Sequence, residues 1–267
     1  RDGAGAYRVI EAAKQDWNPG AYARFRGLRL RPALDLLMQI RKVPGGDVVD
    51  LGCGDGAAAG SLAARFPKRR IIGVDASANM LEKARGYAEI VLSDIAVWKP
   101  VSPPAVIFAN AVLHWLGDHG TLLPKLAGTL APGGTLAVQM PQQFQAPSHR
   151  FLRDIAASMF PGRFDFAHYV PPVARASDYH AMLTGLGEVN AWETDYVQRL
   201  EPCDAQHPVH AFTAATAMRP IAAKLDAGEL ATFAAAYDQA LGAAYPKQAD
   251  GSVLFPFRRV FFTLVVG

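Results

Sequence analysis

Val48-Val49-Asp50-Leu51-Gly52-Cys53-Gly54-Asp55-Gly56 decides the fold. A short apolar run ends in a glycine turn, and Ala57 to Phe66 follow with a helical pattern that Pro67 stops. Gly52 and Gly54 reach backbone angles closed to other residues and let a ligand approach the main chain. Their spacing to Gly56 is two and two, whereas the dinucleotide fingerprint is spaced by two and three so that a helix N-terminus receives the pyrophosphate. Asp50 stands before the turn and Asp55 lies inside it. Acids repel phosphate and suit a ligand with a positive amino group. The plainer reading is a structural strand-to-helix turn, and the acids downstream weigh against it.

Outward from the turn, strands and helices alternate. Ile71 to Val74 read as a second strand ending at Asp75, and Ser77 as the N-cap of a helix reaching about Gly86. Ile90-Val91-Leu92 is a third strand, ending at Asp94. Val106 to Ala109 is a fourth. Thr121 to Leu130 is a helix closed by Pro132-Gly133-Gly134, and Thr135 to Met140 is a fifth strand. Glu188 to Leu200 and Val260 to Val266 add two more. Ala211 to Ala244 reads as helices forming a cap over the sheet edge, and Tyr7 to Met38 as helices punctuated by Pro19 and Pro32. The expected fold is α/β, a doubly wound, mostly parallel seven-stranded sheet. We divide it into an N-terminal helical lid over 1–42, a ligand-binding core over 43–146, and over 147–267 the rest of the sheet with its inserted cap, all one continuous domain. Ligands of such sheets lie outside the carboxyl ends of the strands, at the switch point.

That rule selects candidate residues. Asp75, followed by Ala76, is placed to accept two hydrogen bonds from a ribose diol; its plainer role is a helix N-terminal acid. After the third strand, Ser93-Asp94-Ile95 offers Asp94 to an adenine amino group, with Ile95 and Met80 on either side of the ring; the alternative is a solvated loop acid beside a core methionine. Phe108-Ala109-Asn110-Ala111-Val112-Leu113-His114-Trp115 closes the fourth strand, which puts Asn110 and Trp115 at the ligand. His114 reads first as a satisfied structural histidine and second as a general base.

Composition bounds the rest. The chain has 267 residues, 51% hydrophobic and 19% charged, ordinary for a globular domain with a real core. No apolar run nears the ~20 residues of a membrane span, and charges throughout Arg1 to Trp17 leave no room for the apolar region of a signal peptide. Two cysteines make neither a disulfide framework nor a zinc site, so no metal is expected and a reducing cytoplasm is the simplest compartment. A net charge of +3 fits a small anion and falls short of the basic stripe of a nucleic-acid binder. No membrane partner is expected, and the oligomeric state is left open.

Taken together, these residues resemble the class I methyltransferases that use S-adenosylmethionine (SAM), whose core is Rossmann-like, and within them the trans-aconitate 2-methyltransferase family. The resemblance spans nearly the whole chain. It includes Asp16-Trp17-Asn18-Pro19 with Tyr22, Phe25 and Arg31-Pro32-Ala33, then Val48 to Gly56, Ile107 to Trp115 with Asp118-His119, Leu136 to Pro141, and Pro147 with His149. It continues through Trp192, Thr194 and Tyr196 to Ala215-Thr216, Arg219-Pro220, Tyr245-Pro246, Phe257 and Arg259. The Phe-Ala-Asn-Ala box is not the Asn/Asp-Pro-Pro-Tyr box of methyltransferases acting on DNA or protein nitrogens, which turns the reading away from nucleic acid.

The resemblance implies methylation of one carboxylate of a small polycarboxylic acid, trans-aconitate, with S-adenosylhomocysteine as coproduct. It implies that Arg31 reaches the methionine carboxylate of SAM while Trp17 and Tyr22 close over the site. A polyacid calls for cations and hydroxyls, and the candidates are Arg219 and Arg259 with Tyr22, His149, Tyr179 and Tyr196. The chain departs from the family pattern at Asp55, Ala105, Asp178, Val197 and Ala217-Met218, several of them in the acceptor region. Two other readings stay open: a methyltransferase acting on a malonyl thioester, a phenol or an amine, and a SAM-binding protein without catalysis.

Overall fold

A computed structural model describes residues 26–267. Trp17, Tyr22 and the helices expected before Arg26 lie outside the described residues. The sheet is laid down in the order β3-β2-β1-β4-β5-β7-β6. Its strands are β1 (Val48–Leu51), β2 (Ile71–Asp75), β3 (Glu89–Leu92), β4 (Val106–Asn110), β5 (Thr135–Pro141), β6 (Gly187–Leu200) and β7 (Val253–Val266). The first five are parallel, and β7 runs antiparallel to both β5 and β6. Strand order reverses between β1 and β4, so the crevice of a doubly wound sheet opens at their carboxyl ends.

Helices α1 (Arg26–Met38) and α2 (Ala59–Arg65) cover one face, where Ala33, Leu36, Leu37, Ile40 and Leu62 pack on Val48, Phe108, Ala137 and Phe261. The opposite face carries α4 (His119–Ala127) and α6 (Ala176–Leu183) over Val49, Leu51, Ile107, Val138 and Phe262. Period two along each strand produces this division, since successive side chains point to opposite faces. A third apolar cluster builds the cap. Helices α5 (Pro147–Met159), α7 (Pro208–Ala214), α8 (Arg219–Ala222) and α9 (Ala227–Ala244) meet there around Phe233, Tyr237 and Phe255. Asp226 and Glu229 cap α9 reciprocally.

Two elements differ from expectation. β7 begins at Val253, seven residues before Val260. Its first half carries Pro256, which lies beyond the end of β5, where no ladder donor is required. The Gln143 side chain serves that edge instead, donating to Pro256 O at 3.0 Å and accepting from Arg258 N at 2.8 Å. Conversely, the helix after Ser77 is a single turn, α3 (Ala78–Leu81). The chain then turns at Gly86 to send Tyr87 inward rather than continuing the helix.

Candidate functional site

Four carboxyl-terminal loops of the sheet are stitched together around Gly52. The amides of Gly52 and Cys53 donate to Val74 O at 2.7 and 3.0 Å. Asp75, at the end of β2, accepts from Gly54 N at 2.9 Å through Oδ2 and from Ser77 N at 2.8 Å through Oδ1. Ser93 N, after β3, donates to Asp75 O at 3.0 Å. From the β4 loop, Val112 leans over the turn: a Cβ on Gly52 would lie 2.3 Å from Val112 Cγ2. Gly52 and Gly54 hold φ of 77° and 55°, the left-handed region that other residues enter only with strain. At Gly52 glycine is thus required both by dihedral and by space, at Gly54 by dihedral.

Asp50 is buried beneath this turn. Tyr87 donates its hydroxyl to Asp50 Oδ2 at 2.6 Å. Burial pushes the Asp50 carboxyl up most strongly and the nearby Asp75 charge adds to it, while the Tyr87 hydrogen bond opposes both; the result is about 7. Tyr87 was not legible as a site residue, because its partner stands 37 positions away and nothing local marks it. Met80 leans toward the turn, its Cε 3.3 Å from where a Gly54 Cβ would sit. Ala76 is exposed beside Asp75. Asp94 is exposed and accepts from Ala96 N at 2.8 Å, and Ile95 is buried in the cluster under α4 instead of presenting a face at the surface.

A second group of polar side chains lies on the α1 face, one and two strands beyond β4. Asn110 pairs in register with Gln139, and Gln139 with Phe261; Arg259, two residues on, shares their face. Arg259 is 5% exposed and donates through Nη1 to Gln139 Oε1 at 3.3 Å. Its guanidinium also lies 4.9 Å from the Phe257 ring centroid. Among the described residues, Asn110 Oδ1, His114 Nδ1 and Gln139 Nε2 are buried polar atoms without a hydrogen-bond partner. Buried polar atoms are normally satisfied, so three such atoms around one strand end mark a place for a ligand.

His114 lies on a single 3₁₀ turn, Leu113–Trp115. Burial, then the charges of Arg259 and His119, lower its imidazole to about 3, which leaves it neutral near pH 7. Trp115 is exposed and stands 4.5 Å from the His114 ring. Tyr196 faces the same side as Arg259, donating to Asp35 Oδ2 at 2.6 Å, with Arg31 5.5 Å above its ring. Arg31 therefore stands over β6, with Asp35 at 4.0 Å, rather than over the glycine turn. His149 opens α5 with Nδ1 3.0 Å from Ser148 Oγ, and burial, with Arg153 second, lowers it to about 4. Arg219 begins α8, half-buried in the cap.

Tyr179 is a correction. It is fully buried on the opposite face of the sheet, stacked on Phe262 at 4.9 Å. Its hydroxyl accepts from Ala174 N at 3.2 Å and donates to His119 Nδ1 at 2.7 Å. That fixes the His119 tautomer, because Nε2 must then carry the proton it shares with Leu113 O at 3.0 Å. Tyr179 supports the His114 turn from behind and does not face the polar group on the α1 side.

The arrangement of glycine turn, β2 acid and β4 loop defines a methyltransferase. Residues 22–187 match the methyltransferase-domain family model. A phosphoethanolamine N-methyltransferase 2 of Haemonchus contortus, solved in complex with S-adenosyl-L-methionine, shares the fold with a TM-score of 0.57 at 14% identity, spanning 99% of this chain and 61% of that one. The trans-aconitate 2-methyltransferase of Methylobacterium radiotolerans is 42% identical over 257 residues, covering 92% of this chain and 96% of the relative. That of Methylobacterium nodulans is 43% identical over 252 residues, with the same coverage. This chain belongs to the trans-aconitate 2-methyltransferase family. Among its described residues, no helix is long and apolar enough to cross a membrane, and no group of three acid, histidine or cysteine side chains is poised to hold a metal.

Proposed function

We propose that this protein methylates one carboxylate of trans-aconitate with SAM, releasing the methyl ester and S-adenosylhomocysteine. The observation that carries the reading is the buried Arg259 guanidinium beside the end of β4, in a chain about two-fifths identical to enzymes named for that acid.

The donor end fits the residues present. Gly52 and Gly54 leave bare backbone, and Asp50 is an acid suited to an amino group. Each Asp75 oxygen accepts one amide and keeps a lone pair for a ribose hydroxyl. Bound SAM supplies a sulfonium-activated methyl group. The chain's own task is alignment, since a carboxylate with a solution pKa of ~4 is already ionised at neutral pH and needs no base. Holding the reacting atoms in line lowers a barrier by roughly 7–11 kcal/mol. Arg259 holds the acid, with His149 and Arg219 toward the cap, while the Tyr196 hydroxyl is donated to Asp35. His114 stays neutral, so it adds no charge and takes no proton. The acceptor is a small anion, not a nucleic acid. We read the cytoplasm as its compartment, consistent with Cys53 and Cys203 as free thiols.

The test is a labelled-SAM screen of trans-aconitate, citrate, isocitrate, malonyl thioesters, phenols and amines. Trans-aconitate methyl ester is the expected main product. Binding of SAM with no product from any acceptor overturns catalysis. His114→Gln is expected to retain activity on the acid within about tenfold, whereas a required base would cost roughly 10²–10⁴-fold.

Asp50 adds a pH prediction. Its folded pKa is raised, so the carboxyl stays protonated up to about 7 and its contribution to stability falls as pH rises from the usual carboxylate range toward 7. A ligand ammonium favours the ionised form. SAM affinity is therefore expected to weaken as pH falls below about 7, approaching tenfold per unit. Tyr87→Phe removes the hydrogen bond that favours the carboxylate and moves this midpoint higher; Asp50→Asn flattens the profile. Calorimetric titrations with SAM from pH 5 to 7.5 check both shifts.

A further inference from the structure

Gln139 is the least expected residue near the site. It lies inside β5, between Val138 and Met140, in a run where Thr135 to Met140 are all buried. A buried amide in such a strand costs free energy unless it is satisfied, and only half of this one is. Oε1 accepts from Arg259 Nη1 at 3.3 Å, while Nε2 has no partner among the described residues and the side chain is 0% exposed.

That hydrogen bond orients the amide. An arginine only donates, so the amide oxygen turns toward Arg259 and the NH₂ turns away. Register places both side chains on one face: Gln139 opposite Phe261, Arg259 opposite Pro141 and Thr194. Arg259 bears electrostatically on both His114 and Tyr196, which places the guanidinium between the β4 loop and β6. A full positive charge and an unpaired N–H donor thus adjoin each other in a buried setting. A carboxylate is the group that accepts from both at once.

We infer that Gln139 and Arg259 form a single carboxylate receptor, which holds an acid group other than the one that is methylated. This rests on the acceptor reading above and deepens it. Strands are spaced about 4.8 Å apart, so the receptor lies roughly 5–10 Å sideways from Asn110 at the end of β4. Two or three carbons, at about 1.5 Å per bond, span roughly 4–5 Å between carboxyl carbons, which reaches the near end of that range. The receptor therefore favours acids whose second carboxylate is at least that far from the first. Gln139 is a specificity residue: it discriminates through the donor it presents and through the way it fixes the Arg259 fork.

The test uses the full chain loaded with S-adenosylhomocysteine and titrated with trans-aconitate, alongside steady-state kinetics. Gln139→Met keeps the volume and removes both polar atoms. Gln139→Glu keeps an oxygen for Arg259 and sets a carboxylate against the incoming one. We expect trans-aconitate to bind at least tenfold more weakly to Gln139→Met and weaker still to Gln139→Glu, with KM rising more than kcat falls. S-adenosylhomocysteine affinity, which reports the folded donor site, should stay within twofold. Unchanged trans-aconitate binding in both variants, with turnover intact, overturns the receptor and leaves the function standing. Loss of S-adenosylhomocysteine affinity in step with that of the acid also overturns it, since Gln139 then supports the fold. Gln139-dependent acid binding without turnover in the unaltered chain overturns the function and leaves the receptor. No binding of trans-aconitate by the unaltered chain overturns both.

Discussion

Gly52→Ala is expected to abolish methyl transfer and to lower the unfolding midpoint. Two independent penalties meet at this position. The φ of 77° lies where an L side chain costs roughly 1–2 kcal/mol. The added methyl would also fall 2.3 to 2.7 Å from all three branch carbons of Val112, and overpacking of that kind costs about 1–3 kcal/mol. The chain has no cheap escape. Gly52 N is tied to Val74 O at 2.7 Å, so the turn resists movement away, and Val112 belongs to the loop that carries His114. The total, roughly 2–5 kcal/mol, corresponds to a midpoint lower by about 4–10 °C for a chain of this size. Function should suffer more than stability. The methyl must push Val112 or the turn itself aside, and with them the loops that end at the donor, so SAM binding should fall below detection in calorimetry even well under the new midpoint. A folded variant that bound SAM with an unchanged dissociation constant would show that the turn is only structural.

Much of this turn was readable beforehand because its causes are local. Four consecutive buried residues, Val48 to Leu51, followed by glycine leave few alternatives to a central parallel strand ending in a ligand turn. Asp75 and Asn110 became candidates because a doubly wound fold places strand ends at its ligand. The remaining site depends on partners distant in sequence. Tyr87 looks like any aromatic before an edge strand until its hydroxyl meets Asp50. Gln139 hides in a hydrophobic run, and only its pairing with Arg259, 120 residues later, makes it informative. Tyr179 failed for the same reason in reverse. A tyrosine near the cap reads as a ligand for an acid, yet its hydroxyl is consumed by His119, 60 residues away on the other face. The first half of β7 was missed as well; it carries Pro256, which the sheet tolerates because β5 has already ended there. Local chemistry thus suggests where a donor would lie, and long-range pairing shapes the polar group proposed for the acceptor.

Arg259→Met should therefore divide donor from acceptor. Methionine fills a similar volume, so the buried strand pair keeps its packing, while the charge and the fork disappear. Truncating one partner of a desolvated, hydrogen-bonded charge pair costs about 2–5 kcal/mol, so kcat/KM for trans-aconitate is expected to fall by roughly 30- to 5,000-fold. SAM affinity should change by less than about twofold, because the glycine turn and its acids end strands on the far side of β4 from β7. Arg259→Lys keeps the charge and loses the planar pair of donors, and should recover only part of the activity. A second readout does not depend on turnover. The Arg259 charge is one of the causes that hold the His114 imidazole at about 3, so its removal should raise that value, though burial remains the larger cause and keeps it below the ordinary histidine range. Titration of His114 by NMR would follow the shift. An upward shift with unimpaired kcat/KM would place Arg259 beside the loop and outside acceptor binding. A parallel fall in SAM affinity would make it a scaffold residue. A selective loss for the acid, with the histidine shift, is the outcome that the shared face of β5, β7 and the β4 loop requires.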